Sequence, residues 1–354
     1  IMKLKVNPEN HKELSIDFES NDEMDMVEIY LKPKTRNHKF SKQKGKWNGQ
    51  ISFIRKYRFV PIQLWQTLYK LCKDNNFPFS FPDLQKATTI KIDHVKLKSI
   101  YERALMSNDE LKFDKDQYDT ITKYITHRYN KQNISTAYGK TMILFVASVY
   151  LVSVENENIL IVTPKPSLSS QMYSDFVDYS THVKEAKKIF NVMSAGNDFP
   201  EYRDYEVVIA NFLLIAKKEK EHFKRFTAMM CDEVHRATSK SYKQINVNCI
   251  NVKSTRGVTG TMHTDFSAET LTMIVNSGFT SKIVKKRELI DAGRATNGKI
   301  IARFINSLSP QESLTLHQFF IDEKEHIEQL NMERRLVRDS YPRLQWIVAD
   351  IRNC

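Results

Sequence analysis

Residues 135–141 read Ser-Thr-Ala-Tyr-Gly-Lys-Thr, and the apolar run Met142–Val152 follows them at once. A Gly-Lys-Thr triplet that opens a helix is typical of a loop whose backbone N–H groups surround phosphate oxygens. The partial positive charge of the helix N-terminus adds to the attraction for an anion. The loop departs from the usual motif at its first position, where Ile134 stands in place of glycine. The apolar run is too short to cross a bilayer and predicts a buried helix.

Two carboxylates follow a second apolar segment, 91 residues further on, counted from Thr141. Ala228–Cys231 predicts a strand, and Asp232 and Glu233 come directly after it. Two carboxylates suit the hydrolysis of a phosphoanhydride, one to hold Mg²⁺ and one to polarise the attacking water. Alone, this pair could be a solvated acidic loop. Its order after the Gly-Lys-Thr loop favours a nucleotide site, and we expect the two motifs to converge from neighbouring strand ends.

The middle of the chain alternates short β-branched runs with longer helical ones. The predicted strands are Ile159–Thr163, Glu206–Ala210, Ala228–Cys231 and Gly257–Gly260. The predicted helices are Met142–Val154, Ser167–Val183 and Phe212–Arg225. This alternation predicts an α/β fold with a parallel sheet that is buried on both faces.

The first part of the chain has a different pattern. It contains short alternating apolar segments, such as Met26–Leu31 and Ile51–Ile54, and then a helical stretch, Pro61–Cys72. This pattern predicts a small α+β domain with its own core. A polar stretch at 106–110 marks the predicted boundary, which gives three parts: residues 1–105, 106–297 and 298–354.

The charge of the chain favours a polyanionic partner. Its 354 residues include 54 Lys plus Arg against 42 Asp plus Glu, a formal net charge of +12. Residues 32–46 are rich in cations, and we predict nucleic-acid contacts at Lys42, Lys44, Lys46 and Trp47, since cations neutralise phosphates and aromatic rings stack on bases. The alternative is a solvated loop, or an edge strand that lysines protect from aggregation.

Taken together, the motifs resemble the helicase core of superfamily 2, in which a RecA-like lobe binds ATP and Mg²⁺. Gln117 lies 23 residues before Lys140, where these helicases have a glutamine that reads adenine. The resemblance implies nucleotide contacts by Gln117, Ser135, Thr136, Ala137, Tyr138, Gly139, Lys140 and Thr141. It also implies that Lys140, Asp232 and Glu233 are catalytic and that Thr141 and Asp232 are ligands of Mg²⁺.

Later segments resemble further elements of the same family. Residues 163–171 are similar to an element that grips the sugar-phosphate backbone, and residues 259–261 to one that couples the phosphate site to the nucleic-acid site. The resemblance implies DNA contacts by Thr163, Pro164, Lys165, Ser167, Gln171, Gly196 and Asn211. It implies a coupling role for His235, Thr259, Gly260 and Thr261.

The N-terminal module narrows the resemblance to the UvsW-type helicases of tailed phages. The similar segments are Lys44–Ile51, Arg58–Pro61, Asp175–Tyr179 and Cys231–Thr238. The resemblance implies an ATP-dependent DNA helicase or translocase that unwinds or branch-migrates forks, recombination junctions and R-loops in phage replication, recombination and repair. It implies a monomer whose partners are branched DNA, DNA with single-stranded regions or RNA–DNA hybrids, without membrane association, in the cytoplasm of the infected bacterial cell.

In this family a second RecA-like lobe supplies arginine fingers from a Gln-x-x-Gly-Arg-x-x-Arg segment, and the sequence contains no such segment. Residues 298–354 resemble the first elements of that lobe. The loss of an arginine finger typically lowers turnover by about 10³- to 10⁵-fold. We therefore expect this chain to bind ATP and to hydrolyse it slowly.

The sequence alone leaves two other functions open. One is the motor subunit of a restriction system, which requires a nuclease elsewhere in its complex. The other is a non-catalytic nucleic-acid-binding protein that uses the basic module and retains only the fold of an ATPase.

Overall fold

The structure is a computed structural model, and it describes residues 2–35, 50–56, 58–135, 138–193, 206–262 and 266–291. These residues all belong to one unit of the chain, Ile1–Thr296. The predicted opening of a second lobe, residues 298–354, lies outside them. In the part of the chain that is described, no helix has the length and apolar character that crossing a membrane requires.

The described residues form two β-sheets with helices packed on them. The strands are β1 (Met2–Asn7), β2 (Asn10–Asp17), β3 (Phe59–Pro61), β4 (Phe79–Ser80), β5 (Tyr129–Ile134), β6 (Ile159–Thr163), β7 (Phe190–Met193), β8 (Val207–Asn211), β9 (Ala228–Asp232), β10 (Ser254–Thr259) and β11 (Phe279–Val284). The helices are α1 (Asn21–Tyr30), α2 (Trp65–Asp74), α3 (Leu84–Thr88), α4 (His94–Leu105), α5 (Lys115–Thr126), α6 (Lys140–Glu155), α7 (Pro166–Tyr179), α8 (Phe212–Ile215), α9 (Lys240–Asn248), α10 (Ala268–Ser277) and α11 (Lys286–Asp291).

The larger sheet confirms the predicted α/β fold. Its seven strands are parallel and lie in the order β11-β5-β10-β9-β6-β8-β7. Every residue of β6 and β8 is buried, as expected for a parallel sheet covered on both faces. The apolar run after the phosphate loop is α6, in which every residue from Met142 to Val152 is buried. The strands and this helix therefore share one continuous core.

Strand β5 was not predicted, because its three central residues, Asn130, Lys131 and Gln132, are polar. All three are buried, and each donates a hydrogen bond to the main chain. Asn130 Nδ2 donates to the carbonyls of Tyr124 (3.0 Å) and His127 (2.6 Å). Gln132 Nε2 donates to a carbonyl of α5 at 2.8 Å, and Lys131 Nζ donates to a carbonyl beside β11. These bonds compensate the loss of water that makes polar strands unfavourable in a core.

The predicted helix Phe212–Arg225 is wrong. The structure has the four-residue helix α8 and then a 3₁₀ turn at Lys220–Phe223. Ile215 and Phe223 are buried, whereas the residues between them are polar or charged apart from Ala216. A continuous helix would have no apolar face to bury along this stretch, and the chain instead turns twice.

The smaller sheet confirms the predicted α+β module at the N-terminus. Its strand order is β3-β2-β1-β4, with β1 parallel to β4 and the other two pairs antiparallel. Met26–Leu31, an alternating segment in the sequence, is the end of α1 and not a strand, because the Ser20 hydroxyl accepts from Glu23 N (3.2 Å) and caps a helix there. Ile51–Ile54 is not part of a strand.

Helix α4 packs in the core of the larger sheet and not in the core of the N-terminal module. Helix α4 lies within the proposed 1–105 module, yet Leu97, Ile100 and Tyr101 on it are buried in the core of the larger sheet, against α6. The core of the module contains Phe81, with Leu84 packed against it, and also includes Tyr129 of β5 and Leu271 of α10. Residues of the larger sheet thus contribute to the core of the module, and α4 of the predicted module contributes to the core of the larger sheet.

Candidate functional site

The carboxyl ends of the central strands bring the two predicted phosphate motifs to one edge of the sheet. The phosphate loop, residues 135–141, follows β5, and Glu233 follows β9. Strand β10 lies between these two strands, with Thr259 paired to Asn133 of β5 and Val258 paired to Asp232 of β9. The two motifs are therefore one strand further apart than expected, and the end of β10 enters the site between them.

The phosphate loop ends in a backbone conformation that requires glycine. Gly139 has φ of 88°, in the left-handed region that other residues adopt only with strain. A Cβ atom there would lie 2.5 Å from Gln117 Nε2. Lys140 is the first residue of α6, so the backbone amides that follow Gly139 point out of a helix N-terminus. This geometry suits an anion.

Lys140 reaches across the edge of the sheet to Glu233. The Lys140 Nζ atom lies 2.9 Å from Glu233 Oε1, and both side chains are mostly buried. Glu233 itself has φ of 53°, a left-handed conformation that costs a non-glycine residue free energy and that is common at functional sites. Gly257 of β10 makes room for this turn, because a Cβ atom there would lie 2.7 Å from Val234 Cβ.

The second oxygen of Glu233 belongs to a small polar network. Thr259 Oγ1 donates to Glu233 Oε2 at 3.2 Å, and His235 Nδ1 lies 2.8 Å from the same hydroxyl. The amide of Thr261 donates to Thr259 Oγ1 at 3.2 Å. The structure thus brings together Glu233, His235, Thr259 and Thr261, while Gly260 and Thr261 are exposed beside them.

The two carboxylates of the site have different affinities for protons. Burial, and then repulsion by Glu233, raises the pKa of Asp232 to about 6. Burial alone would also raise the pKa of Glu233, but the hydrogen bond and charge of Lys140, with smaller contributions from Thr259 and His235, hold it below its usual value. Both groups are therefore ionised at neutral pH.

Aromatic residues that the sequence analysis did not select lie near Gln117, the predicted adenine contact. Gln117 lies in the first turn of α5 and donates through Nε2 to the carbonyl of Tyr138 at 2.7 Å. Its Oε1 accepts from the Tyr101 hydroxyl at 2.6 Å. The ring of Phe113, 46% exposed, lies 5.5 Å from that of Tyr101 and 5.9 Å from that of Tyr118. The one feature of the sequence that could have pointed to Phe113 is its position four residues before Gln117.

Some predicted DNA contacts have their side chains occupied within the fold. Thr163 is fully buried, and its hydroxyl lies 2.6 Å from that of Ser169. Asn211 is also buried; its Oδ1 accepts from Leu213 N at 3.1 Å, and its Nδ2 donates to the carbonyl of Thr163 at 3.3 Å. These side chains are therefore engaged within the fold, which leaves the backbone amides for the predicted DNA contacts, and Pro164 is buried as well.

The remaining predicted contacts divide into two groups. Lys165, Ser167 and Gln171 are exposed at the start of α7, on the same edge of the sheet as the phosphate loop. The other predicted contacts lie outside the described residues: Lys42, Lys44, Lys46, Trp47, Thr136, Ala137 and Gly196.

Comparison with known proteins agrees with the fold. Residues 110–264 match the family described as the res subunit of type III restriction enzymes. The chain is 28% identical, over 267 residues, to a protein of Enterobacteria phage T4 named ATP-dependent DNA helicase uvsW; the match covers 74% of this chain and 52% of that protein. The chain thus spans about half the length of the curated relative that it matches.

Solved structures of the T4 protein have the same fold. A crystal structure of the UvsW helicase from bacteriophage T4 superposes with a TM-score of 0.66 at 22% identity, covering 79% of this chain and 99% of that one. A second T4 UvsW structure superposes with a TM-score of 0.65 at 21% identity, covering 79% of this chain and 56% of that one. The chain is therefore homologous to the UvsW helicase of phage T4, and its residues 110–264 match the ResIII family.

Proposed function

We propose that this chain is the nucleotide-binding part of an ATP-dependent DNA helicase or translocase that acts on branched DNA, such as forks, recombination junctions and R-loops, in phage replication, recombination and repair. The observation that carries the proposal is the contact of 2.9 Å between Lys140 and Glu233 at the carboxyl edge of the parallel sheet. A lysine at a helix N-terminus and a carboxylate on a facing strand end are the groups that phosphoryl transfer requires. They come together here without any other evident structural need.

In this proposal the phosphates of ATP bind to the backbone amides at the start of α6. Lys140 then exchanges Glu233 for the β- and γ-phosphates, since the phosphates carry more negative charge than one carboxylate. The exchange releases Glu233 Oε1, which becomes free to orient the attacking water and to accept its proton. Because Lys140 is the main group that lowers the pKa of Glu233, its departure raises that pKa and makes the carboxylate a better acceptor for the proton.

The donor set also suits magnesium. Thr141 follows Lys140, and Asp232 precedes Glu233, so the contact between Lys140 and Glu233 brings a hydroxyl and a carboxylate to the same edge of the sheet. Mg²⁺ prefers hard oxygen ligands and usually takes one or two from the protein, with phosphate oxygens and water completing its shell. When bound, the ion would neutralise charge on the phosphates.

The network around Thr259 provides a route from the nucleotide to the nucleic acid. When Lys140 leaves Glu233, the contacts of Glu233 with His235 and Thr259 change in the same step. Thr259 is bonded to Thr261 on the exposed end of β10, beside the edge from which Lys165, Ser167 and Gln171 are also exposed. We propose that these exposed groups hold the DNA backbone, while Gln117 and the ring of Phe113 bind adenine.

The remaining parts of the proposal follow from the resemblance to the UvsW-type helicases. Residues 1–105 are proposed as a nucleic-acid-binding module, 106–297 as the first RecA-like lobe and 298–354 as the start of the second. The proposed partners are branched DNA, DNA with single-stranded regions or RNA–DNA hybrids, bound by a monomer in the infected bacterial cell. Without a Gln-x-x-Gly-Arg-x-x-Arg segment in its sequence, the chain by itself is proposed to bind ATP and to turn it over slowly.

One observation favours a second candidate function. The family that residues 110–264 match is described as the res subunit of a restriction enzyme, so the chain could serve as the motor of a restriction system. Under that reading the ATP site works in the same way, but the motor drives a nuclease in a partner protein. Cleavage of DNA by the chain together with its host partners separates this candidate from the helicase.

DNA-stimulated ATP hydrolysis tests the proposal, with this chain and with a version extended through a second lobe. Lys140→Ala and Glu233→Gln should each abolish turnover by the extended protein. Lys224 and Glu221 form an exposed ion pair at 2.7 Å, so Lys224→Ala and Glu221→Gln are matched controls that should leave turnover unchanged. If the extended protein has no DNA-dependent turnover, or if Lys140→Ala is as active as the wild type, the helicase proposal fails.

A further inference from the structure

The side chain of Tyr138 is buried, although the residue belongs to the phosphate loop. Only 4% of it is exposed. Its hydroxyl donates to Asp116 Oδ2 at 2.6 Å and lies 2.9 Å from the hydroxyl of Thr120, both on α5. A hydrogen bond of this length to a carboxylate is among the stronger ones in proteins. The loop is therefore attached to α5 through a side chain.

The main chain of the same residue provides a second attachment. The carbonyl of Tyr138 accepts from Gln117 Nε2 at 2.7 Å. This approach is possible because the next residue is Gly139, where a Cβ atom would come within 2.5 Å of the same nitrogen. Asp116 and Gln117 are neighbours in the first turn of α5, so one turn of helix holds both the hydroxyl and the carbonyl of Tyr138.

The third element of this arrangement is β11. Lys282 Nζ donates to Asp116 Oδ1 at 2.7 Å, so the two oxygens of one carboxylate receive Lys282 and Tyr138. The amide of Ser135, at the start of the loop, donates to the carbonyl of Val284 at 3.1 Å. The chain Lys282–Asp116–Tyr138, which we call the tether, thus links β11, α5 and the phosphate loop.

A tether of this kind has a consequence for ligand affinity. A phosphate loop binds through backbone amides that must point in fixed directions, and a loop that orders itself only on binding loses affinity for that reason. The residues 135–141 contain one glycine, Gly139. Tyr138 directly precedes it and is held at two points, which fixes the start of α6 before a ligand arrives.

We infer that Tyr138, together with Asp116 and Lys282, is a positioning residue that holds the phosphate loop in the conformation that receives the phosphates of a nucleotide. The inference rests on the proposed function, since it requires a nucleotide at this loop. The buried hydroxyl acts through the loop and not on the reacting atoms. Its loss should therefore weaken nucleotide binding and raise the KM for ATP, while kcat at saturating ATP stays unchanged.

A purely structural role would have a different signature. If the tether served only to stabilise the fold, its loss would lower the melting temperature and leave the affinity for nucleotide unchanged at temperatures where the protein is folded. Affinity and melting temperature therefore have to be measured on the same variants. Double variants add a second criterion, because residues that act through one chain of contacts are not additive.

The experiment uses the full 354-residue chain and titrates it with ADP in the presence of Mg²⁺. Tyr138→Phe removes only the hydroxyl and should raise the Kd about tenfold, equal to about 1.4 kcal/mol. Tyr124→Phe is the matched control, because the Tyr124 hydroxyl is buried and has no hydrogen-bond partner among the described residues. It should leave the Kd unchanged.

Asp116→Asn provides a second variant in case Tyr138→Phe does not fold, because half of the Asp116 side chain is exposed. It too should raise the Kd severalfold, and the double variant should lose no more than the larger single loss. A Kd that is unchanged in either single variant overturns the inference, and so do losses that simply add in the double variant.

Lys140→Ala distinguishes a failure of the tether from a failure of the proposed function. If the wild-type chain binds no ADP, or if Lys140→Ala binds it equally well, there is no nucleotide site at this loop, and both proposals fail. If Lys140→Ala abolishes binding while Tyr138→Phe retains the wild-type Kd, only the tether is rejected.

Discussion

Strands β5 and β6 are buried in the same parallel sheet, but different interactions stabilise them. Strand β6 is aliphatic from Ile159 to Val162, and each of these side chains is fully buried. Strand β5 has Asn130, Lys131 and Gln132 at its centre, and these are buried to nearly the same extent. The first strand is held by apolar contacts, which are non-directional. The second depends on hydrogen bonds to particular carbonyl groups.

The hydrogen bonds of β5 connect this strand to the helix that carries residues of the candidate site. Two of the acceptors that β5 uses, the carbonyls of Tyr124 and Thr120, belong to α5, which carries Gln117 and Asp116. Arg256 of β10, also fully buried, donates to the carbonyls of Tyr124 and Ile125 at 2.9 and 3.0 Å. Hydrogen bonds to particular carbonyl groups fix the position of α5 relative to β5 and β10. Directional hydrogen bonds therefore stabilise the side of the sheet that holds α5 and the phosphate loop.

The largest expected effect is on the apolar strand. Ile161→Ala should lower the free energy of unfolding by about 3 kcal/mol, because it leaves a cavity in a fully buried site. Urea denaturation measures this loss, and Ile29→Ala, at a side chain that is 77% exposed, should cost far less. Equal losses in the two variants would contradict a core in which β6 is held by burial.

A second substitution replaces a buried polar side chain of β5 by an apolar one. Asn130→Leu keeps a similar volume on β5 but removes the donors to the carbonyls of Tyr124 and His127 and the acceptor for the Ser281 hydroxyl. Because buried polar groups without partners are costly, we expect a loss of about 2 kcal/mol in the same urea experiment. If the leucine variant were as stable as the wild type, β5 would be held by burial alone, as β6 is.

The buried Lys131 of β5 makes the stability of the folded chain depend on pH. Burial lowers its pKa from 10.5 to about 7 in the folded chain. Between these values the unfolded chain binds a proton that the folded chain does not, so stability rises with pH across this interval.

Lys131→Met removes this titration, so its stability should not show the rise from pH 7 to pH 10. The control is Lys123→Met, at an exposed position of α5, which should keep the wild-type slope. Parallel stability curves for the wild type and Lys131→Met would show that Lys131 keeps an ordinary pKa in the folded chain.

The smallest expected effect concerns the hydroxyl of Tyr124, which has no hydrogen-bond partner among the described residues although it is buried. Tyr124→Phe should leave stability unchanged or raise it by up to about 1 kcal/mol, since the substitution removes an unsatisfied polar group. Thermal unfolding measures the change. A clear loss of stability would mean that the polar side of the sheet uses this hydroxyl as well.

Much of the fold could be predicted because its signals are local. Ile159–Thr163 and Ala228–Cys231 are apolar runs of strand length, and the structure has strands there. The buried helix α6 follows from the apolar run after Gly-Lys-Thr, which contains one serine, Ser148. In each case burial on all sides decides the structure, and the apolar residues responsible are consecutive in the sequence.

Strand β5 could not be predicted, because its burial depends on hydrogen-bond partners outside the strand. Nothing local marks β5 as buried, because the carbonyls that accept from Asn130 and Gln132 come from α5, and the carbonyl that accepts from Lys131 comes from Gly278. The same holds for Phe212–Arg225, where the local pattern suggested one helix and the packing gave two short turns.

The candidate site divides in the same way. Lys140 and Glu233 were selected from the sequence because the chemistry of phosphate binding and water activation requires these residue types at strand and helix ends. Thr163 and Asn211 were selected on the same kind of pattern, but their side chains are consumed by hydrogen bonds within the fold. A motif specifies residue types, and burial decides which of them remain available to a ligand.

The sequence by itself determined the parallel α/β sheet, the buried helix α6 and the residue types of the candidate site, because each depends on neighbours along the chain. The tertiary structure alone decided that β10 enters between the two phosphate motifs, that Lys140 contacts Glu233, and that Tyr138 bonds to Asp116. These last features depend on which groups lie within about 3 Å of one another, and distances of that kind exist only after the chain has folded.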